Sequence, residues 1–165
     1  MKTLVVYDSL YGNTKAVAQA VALAIAQAIA QAIAQAIGDA IPGEVKVLQV
    51  GQLDVGDLDT VDLLILGSPT HGALPSQAVQ GLLEKIGPPA REGAQAATFD
   101  TRLTWGFLER WGGFAAPKMA ATLQEKGWTL VGAPGGFFVK GLKKGPLKRG
   151  ELERAAAWAK GLVGS

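Results

Sequence analysis

The sequence contains no cysteine, one histidine and two methionines. Without cysteine there is no disulfide, no thiolate nucleophile and no Cys-ligated metal, a pattern that fits a reducing cytoplasm. The lone histidine, His71, has no acid or second histidine near it in sequence. It therefore offers neither a Ser-His-Asp arrangement nor a metal-ligand spacing, and no catalytic or metal-ligating residue is assigned. Charge is scarce as well: charged residues are 18% of the chain and the formal net charge is +2. Nothing in that balance calls for a nucleic-acid partner. The late basic run "VKGLKKGPLKRG" (139–150) reads as a solvated loop, with a patch for an anionic partner as the other reading. A leader is not expected either, because the apolar run in "MKTLVVYDSLYGNT" soon meets Asp8 and reads as a strand.

The lack of charge is most complete over 16–38, where "AVAQAVALAI" runs into "AQAIAQAIAQAI". A segment of about 23 residues is long enough to cross a bilayer. Gln19, Gln27, Gln31 and Gln35, the dominance of alanine over leucine, and a position between two strand-like segments argue against a membrane span. Alanine and glutamine favour helix, and no breaker occurs between Thr14 and Ile41 before Gly38. The expected helix, 14–41, is ~42 Å long at ~1.5 Å per residue, against ~17–20 Å for a typical strand. Its branched residues Val17, Val21, Ile25, Ile29, Ile33, Ile37 and Ile41 recur every fourth position. Each step turns the stripe by ~40°, so the stripe is expected to wind off the sheet and leave an apolar surface. Self-association through the 16–41 helix follows as an expectation. A helix that is simply exposed is the other reading.

Strand-like runs appear at 3–7, 44–50, 61–68, 96–99 and 128–134, and helical patterns at 14–41, 76–86, 117–126 and 150–162. Only "GQLDVGDLDT" between the second and third strands is ambiguous. Strands alternating with helices predict a doubly wound α/β fold, a parallel sheet covered on both faces. The 165 residues make one domain, 1–165, with a low-complexity helix extension within 16–38.

In such a sheet ligands bind beyond the carboxyl ends of the strands, where strand order reverses. The loop after the first strand, "DSLYGNTK", leads straight into a helix. Ser9, Asn13 and Thr14 bring side-chain donors, and Gly12 allows a tight turn. The helix start adds unpaired amides, which together suit a phosphate. The same residues can also serve as a plain helix cap. The loop after the third strand, "GSPTHGALPS", is stiffened by glycine and proline and ends at Ser76, a candidate N-cap. It carries His71, either a solvent-exposed side chain or a flat wall for a planar ligand.

The segments "VVYDSLYGNTKAVAQAVA" and "LLILGSPTHG", with the order of elements over nearly the whole chain, resemble the flavodoxin-like family. The resemblance implies a five-stranded parallel sheet of order 2-1-3-4-5 with an unusually long first helix here. It also implies FMN as cofactor, its phosphate gripped by Ser9, Tyr11, Gly12, Asn13 and Thr14. The flavin ring would be flanked by Pro69, Thr70, His71 and Gly72, then by Asp100, Thr101, Arg102 and Trp105 of "FDTRLTWG". Tyr11 stands where carrier flavodoxins usually have a small hydroxyl residue and is closer to quinone-reductase relatives. The loop at 99–106 offers an arginine instead of the family's usual acidic residues. Arg102 as a cation beside the ring would favour full two-electron reduction. The implied function is an FMN-binding redox protein, an electron carrier or a small quinone-type oxidoreductase, with an unidentified redox partner. The alternative is a protein of the same fold without tight FMN binding, acting as an assembly module through its long helix.

Overall fold

The computed structural model describes residues 1–8, 17–70, 73–103, 113–139 and 149–164. Apolar, β-branched runs form β1 (Lys2–Tyr7), β2 (Glu44–Gln49), β3 (Leu63–Pro69) and β4 (Gln95–Leu103). Between and after them lie α1 (Val17–Ala40), α2 (Gln77–Lys85), α3 (Ala115–Glu125) and α4 (Glu151–Val163). The ambiguous Asp- and Gly-rich stretch before β3 forms two short 3-10 segments, Val50–Gln52 and Val55–Thr60. All described strand pairs are parallel, in the order β2-β1-β3-β4-β5. The continuous apolar run of β3 is what a strand buried at every position requires.

The sheet departs from the five-stranded expectation at one edge. The last strand is split into β5 (Thr129–Leu130), beside the start of β4, and β6 (Gly135–Val139), beside its end. Val131 still donates to the Ala96 carbonyl at 2.9 Å. Beyond it Gly132 takes a left-handed φ of 67°, and Pro134 has no N–H to give. The strand resumes on the small pair Gly135 and Gly136. The outer edge of β6 is taken by side chains from α4. Glu151 accepts from the Phe138 N–H at 2.8 Å, and Arg154 donates to the Gly136 carbonyl at 3.1 Å. Occupied edge groups discourage pairing with another chain.

Two apolar layers sandwich the sheet. Under α2 and α3 lie Leu64, Leu66, Val79, Leu83, Met119 and Leu123. Under α1 and α4 lie Val5, Ile33, Ile37, Ile65, Phe99 and Phe137. Gly67 permits the second layer, because a Cβ there would run into the Phe99 ring. Phe99, Phe137 and Trp158 meet with ring centroids 6.0–6.2 Å apart. Trp158 fixes α4 by donating to the Ala133 carbonyl at 2.8 Å.

Helix α1 has 24 residues, about 36 Å of helix at 1.5 Å per residue. Gly38, the residue expected to break it, lies within it and lets it approach β2: a Cβ there would sit 2.8 Å from Val47 Cγ2. From Ala28 onward the tetrads divide cleanly. Ile29, Ile33, Ile37 and Ile41 are buried, whereas Ala28, Gln31, Gln35 and Asp39 are exposed. The expected winding stripe does not emerge into solvent over these residues. Three steps of ~40° sum to about 120°, an arc that the sheet and α4 together cover, since α1 packs along α4 as well as across β1, β2 and β3. The basis for expecting self-association is therefore missing between 28 and 41. Among the described residues, no helix is long and apolar enough to cross a membrane.

Candidate functional site

The order β2-β1-β3 places the reversal of strand order between β1 and β3, so the crevice beyond their carboxyl ends is where a ligand is expected. The two strands close at that edge through the Asp8 N–H, which donates to the Gly67 carbonyl at 3.1 Å. Asp8 is buried. Tyr7 precedes it, and burial raises its hydroxyl's pKa above the usual tyrosine value. The proposed phosphate residues Ser9, Tyr11, Gly12, Asn13 and Thr14 lie outside the described residues. Both flanks of that loop are described: β1 enters it at the carboxyl edge, and α1 runs from Val17 after it.

The loop after β3 is fastened on both sides. The Thr70 N–H donates to the Thr101 carbonyl at 3.0 Å, which ties the end of β3 to β4. On the far side, buried Ser68 Oγ accepts from the Ser76 N–H at 2.9 Å, and Ser76 Oγ caps α2 by accepting from the Val79 N–H at 3.3 Å. Ser76 is the N-cap expected from the sequence. His71 and Gly72 lie outside the described residues. Directly after them Ala73 takes a left-handed φ of 67°, a conformation that a residue with a Cβ adopts at a cost.

The end of β4 is held by an internal polar cluster. Asp100 is fully buried, and its carboxylate takes hydrogen bonds from the Arg102 guanidinium and from the Ala116 N–H at 2.9 Å. Burial raises the carboxyl's pKa above the ordinary aspartate value, outweighing the hydrogen bonds and the Arg102 charge, which pull it down. Thr70 Oγ1 also accepts from the Ala115 N–H at 3.0 Å. Arg102 Cζ lies 3.6 Å from the centre of the Phe114 ring, and the guanidinium runs over Gly136, where a Cβ would collide with it. Its side chain is 14% exposed.

Of the residues expected at the ring, the structure thus brings Pro69, Thr70, Asp100, Thr101 and Arg102 to the neighbouring ends of β3 and β4. Trp105, with the rest of 104–112, lies outside the described residues. Asp100 and Arg102 do not stand as free charges. They form an ion pair, so their combined field is far weaker than that of the lone cation expected at Arg102. Sequence reading missed Ser68 and the role of Phe114. A serine closing an apolar strand run is a signal for the first, whereas no local signal announces an N-cap satisfied from another strand.

Among the described residues, no cluster of His, Cys, Asp or Glu could hold a metal. A groove of about 440 Å³, lined by Leu74, Pro75, Leu83, Lys118 and Lys126 among others, lies between α2 and α3. It follows the outer surface of the helices rather than the crevice between β1 and β3.

The sequence matches no protein-family model and no curated protein. In fold it is similar to a flavodoxin from the domain Archaea, with TM-score 0.70 and 17% identity over 99% of this chain and 97% of that one. Flavodoxin 1 from Bacillus cereus gives 0.67 and 19% over 99% and 98%. Rubredoxin oxygen:oxidoreductase from Desulfovibrio gigas gives 0.66 and 19% over 98% of this chain, which spans only 35% of that protein. With the strand order and the two helical layers in place, the chain is established as having the flavodoxin-like fold.

Proposed function

We propose that the chain binds FMN at the carboxyl edge of β1, β3 and β4 and acts as a redox protein, an electron carrier or a small quinone-type oxidoreductase. One observation carries the reading. The hydroxyl- and amide-rich segment "SLYGNT" joins β1 to the start of a 24-residue helix at the point where strand order reverses. Serine, asparagine, threonine and helix-start amides are a neutral donor set suited to a phosphate. The solved structures similar in fold include several flavodoxins.

In this reading Ser9, Tyr11, Gly12, Asn13 and Thr14 hold the phosphate. Pro69, Thr70, His71, Gly72, Thr101 and Trp105 bound the ring. The side chains of Asp100 and Arg102, engaged with one another, support that wall rather than contact the ligand. FMN supplies the electron chemistry when bound, and the protein supplies position and field. Because the end of β3 is tied to β4 and Ser76 to Ser68, the part of the wall made by Pro69, Thr70 and Thr101 is held before the ligand arrives, which lowers the ordering cost of binding. The weak field of the Asp100–Arg102 pair leaves His71 and Trp105 as the side chains that would tune the potential.

The test is to purify the protein without added cofactor, record its visible spectrum, and titrate FMN while following flavin fluorescence. A flavin band, or saturable quenching at micromolar FMN that is lost in Asn13→Ala/Thr14→Ala, is the expected result. Colourless protein that never quenches FMN would overturn the reading.

A further inference from the structure

Helix α3 begins without a cap of its own. Its N-cap residue is Phe114, in extended conformation and with no side-chain hydrogen bond to the first turn, at a position that favours Ser, Thr, Asp or Asn. The first amides of a helix have no partner within it, and here two of them find acceptors on other strands. The Ala115 N–H reaches Thr70 Oγ1 beyond β3, and the Ala116 N–H reaches the Asp100 carboxylate on β4. The Arg102 side chain closes the cluster by pairing with Asp100 and covering the Phe114 ring.

The placement of this cluster is what gives it consequence. Thr70 is the last residue before 71–72, and Phe114 follows 104–112, so the cluster fastens the entry to one loop and the return of the other to a common point. Those are the two loops that the FMN reading puts on either side of the flavin ring.

We propose that Asp100 is a positioning residue: its buried carboxylate locks the start of α3 to β4, and through the Ala115–Thr70 bond the end of β3 as well, so that the strand and helix ends from which both ring-flanking loops spring are held in one place. The consequence for flavin rests on the function proposed above. Asparagine is the informative replacement. Aspartate presents one acceptor oxygen to Arg102 and the other to the Ala116 N–H, whereas asparagine keeps one and turns an N–H₂ toward a donor. The lock is lost with little change in volume.

The experiment compares FMN with riboflavin, which carries the ring but no phosphate, on the wild type, Asp100→Asn and Thr70→Val, each first checked for folding by circular dichroism. The expected result is that both variants weaken riboflavin and FMN by the same factor, about tenfold or about 1.4 kcal/mol. The affinity ratio between the two ligands stays at its wild-type value, and the bound flavin's absorption band changes shape. The double variant should lose less than the product of the single losses, because both residues act through one cluster. Wild-type riboflavin affinity and band shape in folded Asp100→Asn would overturn the proposal. If the wild type binds neither flavin, the function proposed above fails and amide hydrogen exchange decides the positioning role. Faster exchange at Ala115 and Ala116 in Asp100→Asn, with Ile33 and Ile37 unchanged, supports it. Unchanged exchange at Ala115 and Ala116 overturns it.

Discussion

Helix α1 and the carboxyl ends of β3 and β4 lie against the same sheet but are held by different means. Over residues 28–41 the helix is a four-residue repeat with buried isoleucines on one side and Ala, Gln and Asp on the other. Its described polar tie is Gln35 to Asp39, an exposed bond within the helix itself. The strand ends, by contrast, are held by Ser68, Thr70 and Asp100, each bonded to a specific atom on another segment, with Arg102 paired to Asp100 within β4. Apolar packing tolerates repetition because any isoleucine fits a similar layer. A polar cluster does not, because each donor needs its own acceptor. The low-complexity part of the chain therefore reports on architecture, and the irregular part reports on chemistry.

This contrast can be broken from either side. Ile33→Ala, at a fully buried position, should have the largest effect, a loss of about 2–5 kcal/mol in urea denaturation. FMN affinity of the folded fraction should stay the same. Gly67→Ala forces a methyl into the Phe99 ring and should cost about 1–3 kcal/mol, read by the same denaturation series.

A pH series tests the cluster next. With its pKa raised by burial, Asp100 binds its proton more tightly in the folded state than in the unfolded state. Its contribution to stability is therefore present at low pH and is lost as pH rises from the ordinary carboxylate value through the raised one. Chemical denaturation across that range should show this decline in the wild type and not in Asp100→Asn.

Two smaller effects sharpen the comparison. Ala73→Gly relieves the left-handed backbone at the crest and should stabilise the fold by about 1 kcal/mol, seen as a rise in Tm. Gln31→Ala, on the exposed side of α1, should change stability by less than about 0.5 kcal/mol. A larger loss there would mean that the glutamines of the repeat do more than face solvent.

The alternation of strand and helix was legible because each element carries its own period. The strand run 61–68 and the helix at 76–86 match β3 and α2 to within a residue or two. The split of the last strand was not, although Gly132 and Pro134 are its cause. Those residues read as the end of a strand, and "GGFFV" as part of a tail, because only the partner β4 is long enough to pair with both pieces. Ile29 to Ile41 were legible as a stripe, but the width of the surface available to cover it depends on α4, more than a hundred residues away. At the crest, Thr70, Asp100 and Arg102 stood out as polar residues at strand ends. That they bind one another and the start of α3 is a fact of tertiary geometry.

The most direct measurement is a ¹⁵N chemical-shift map of the protein titrated with FMN. The account predicts the largest shifts at the carboxyl edge, on the amides of Asp8, Thr70, Thr101 and Arg102, and none on Ala28–Ala40 of α1. Shifts centred on α1 or on the groove between α2 and α3, with the carboxyl edge silent, would contradict it.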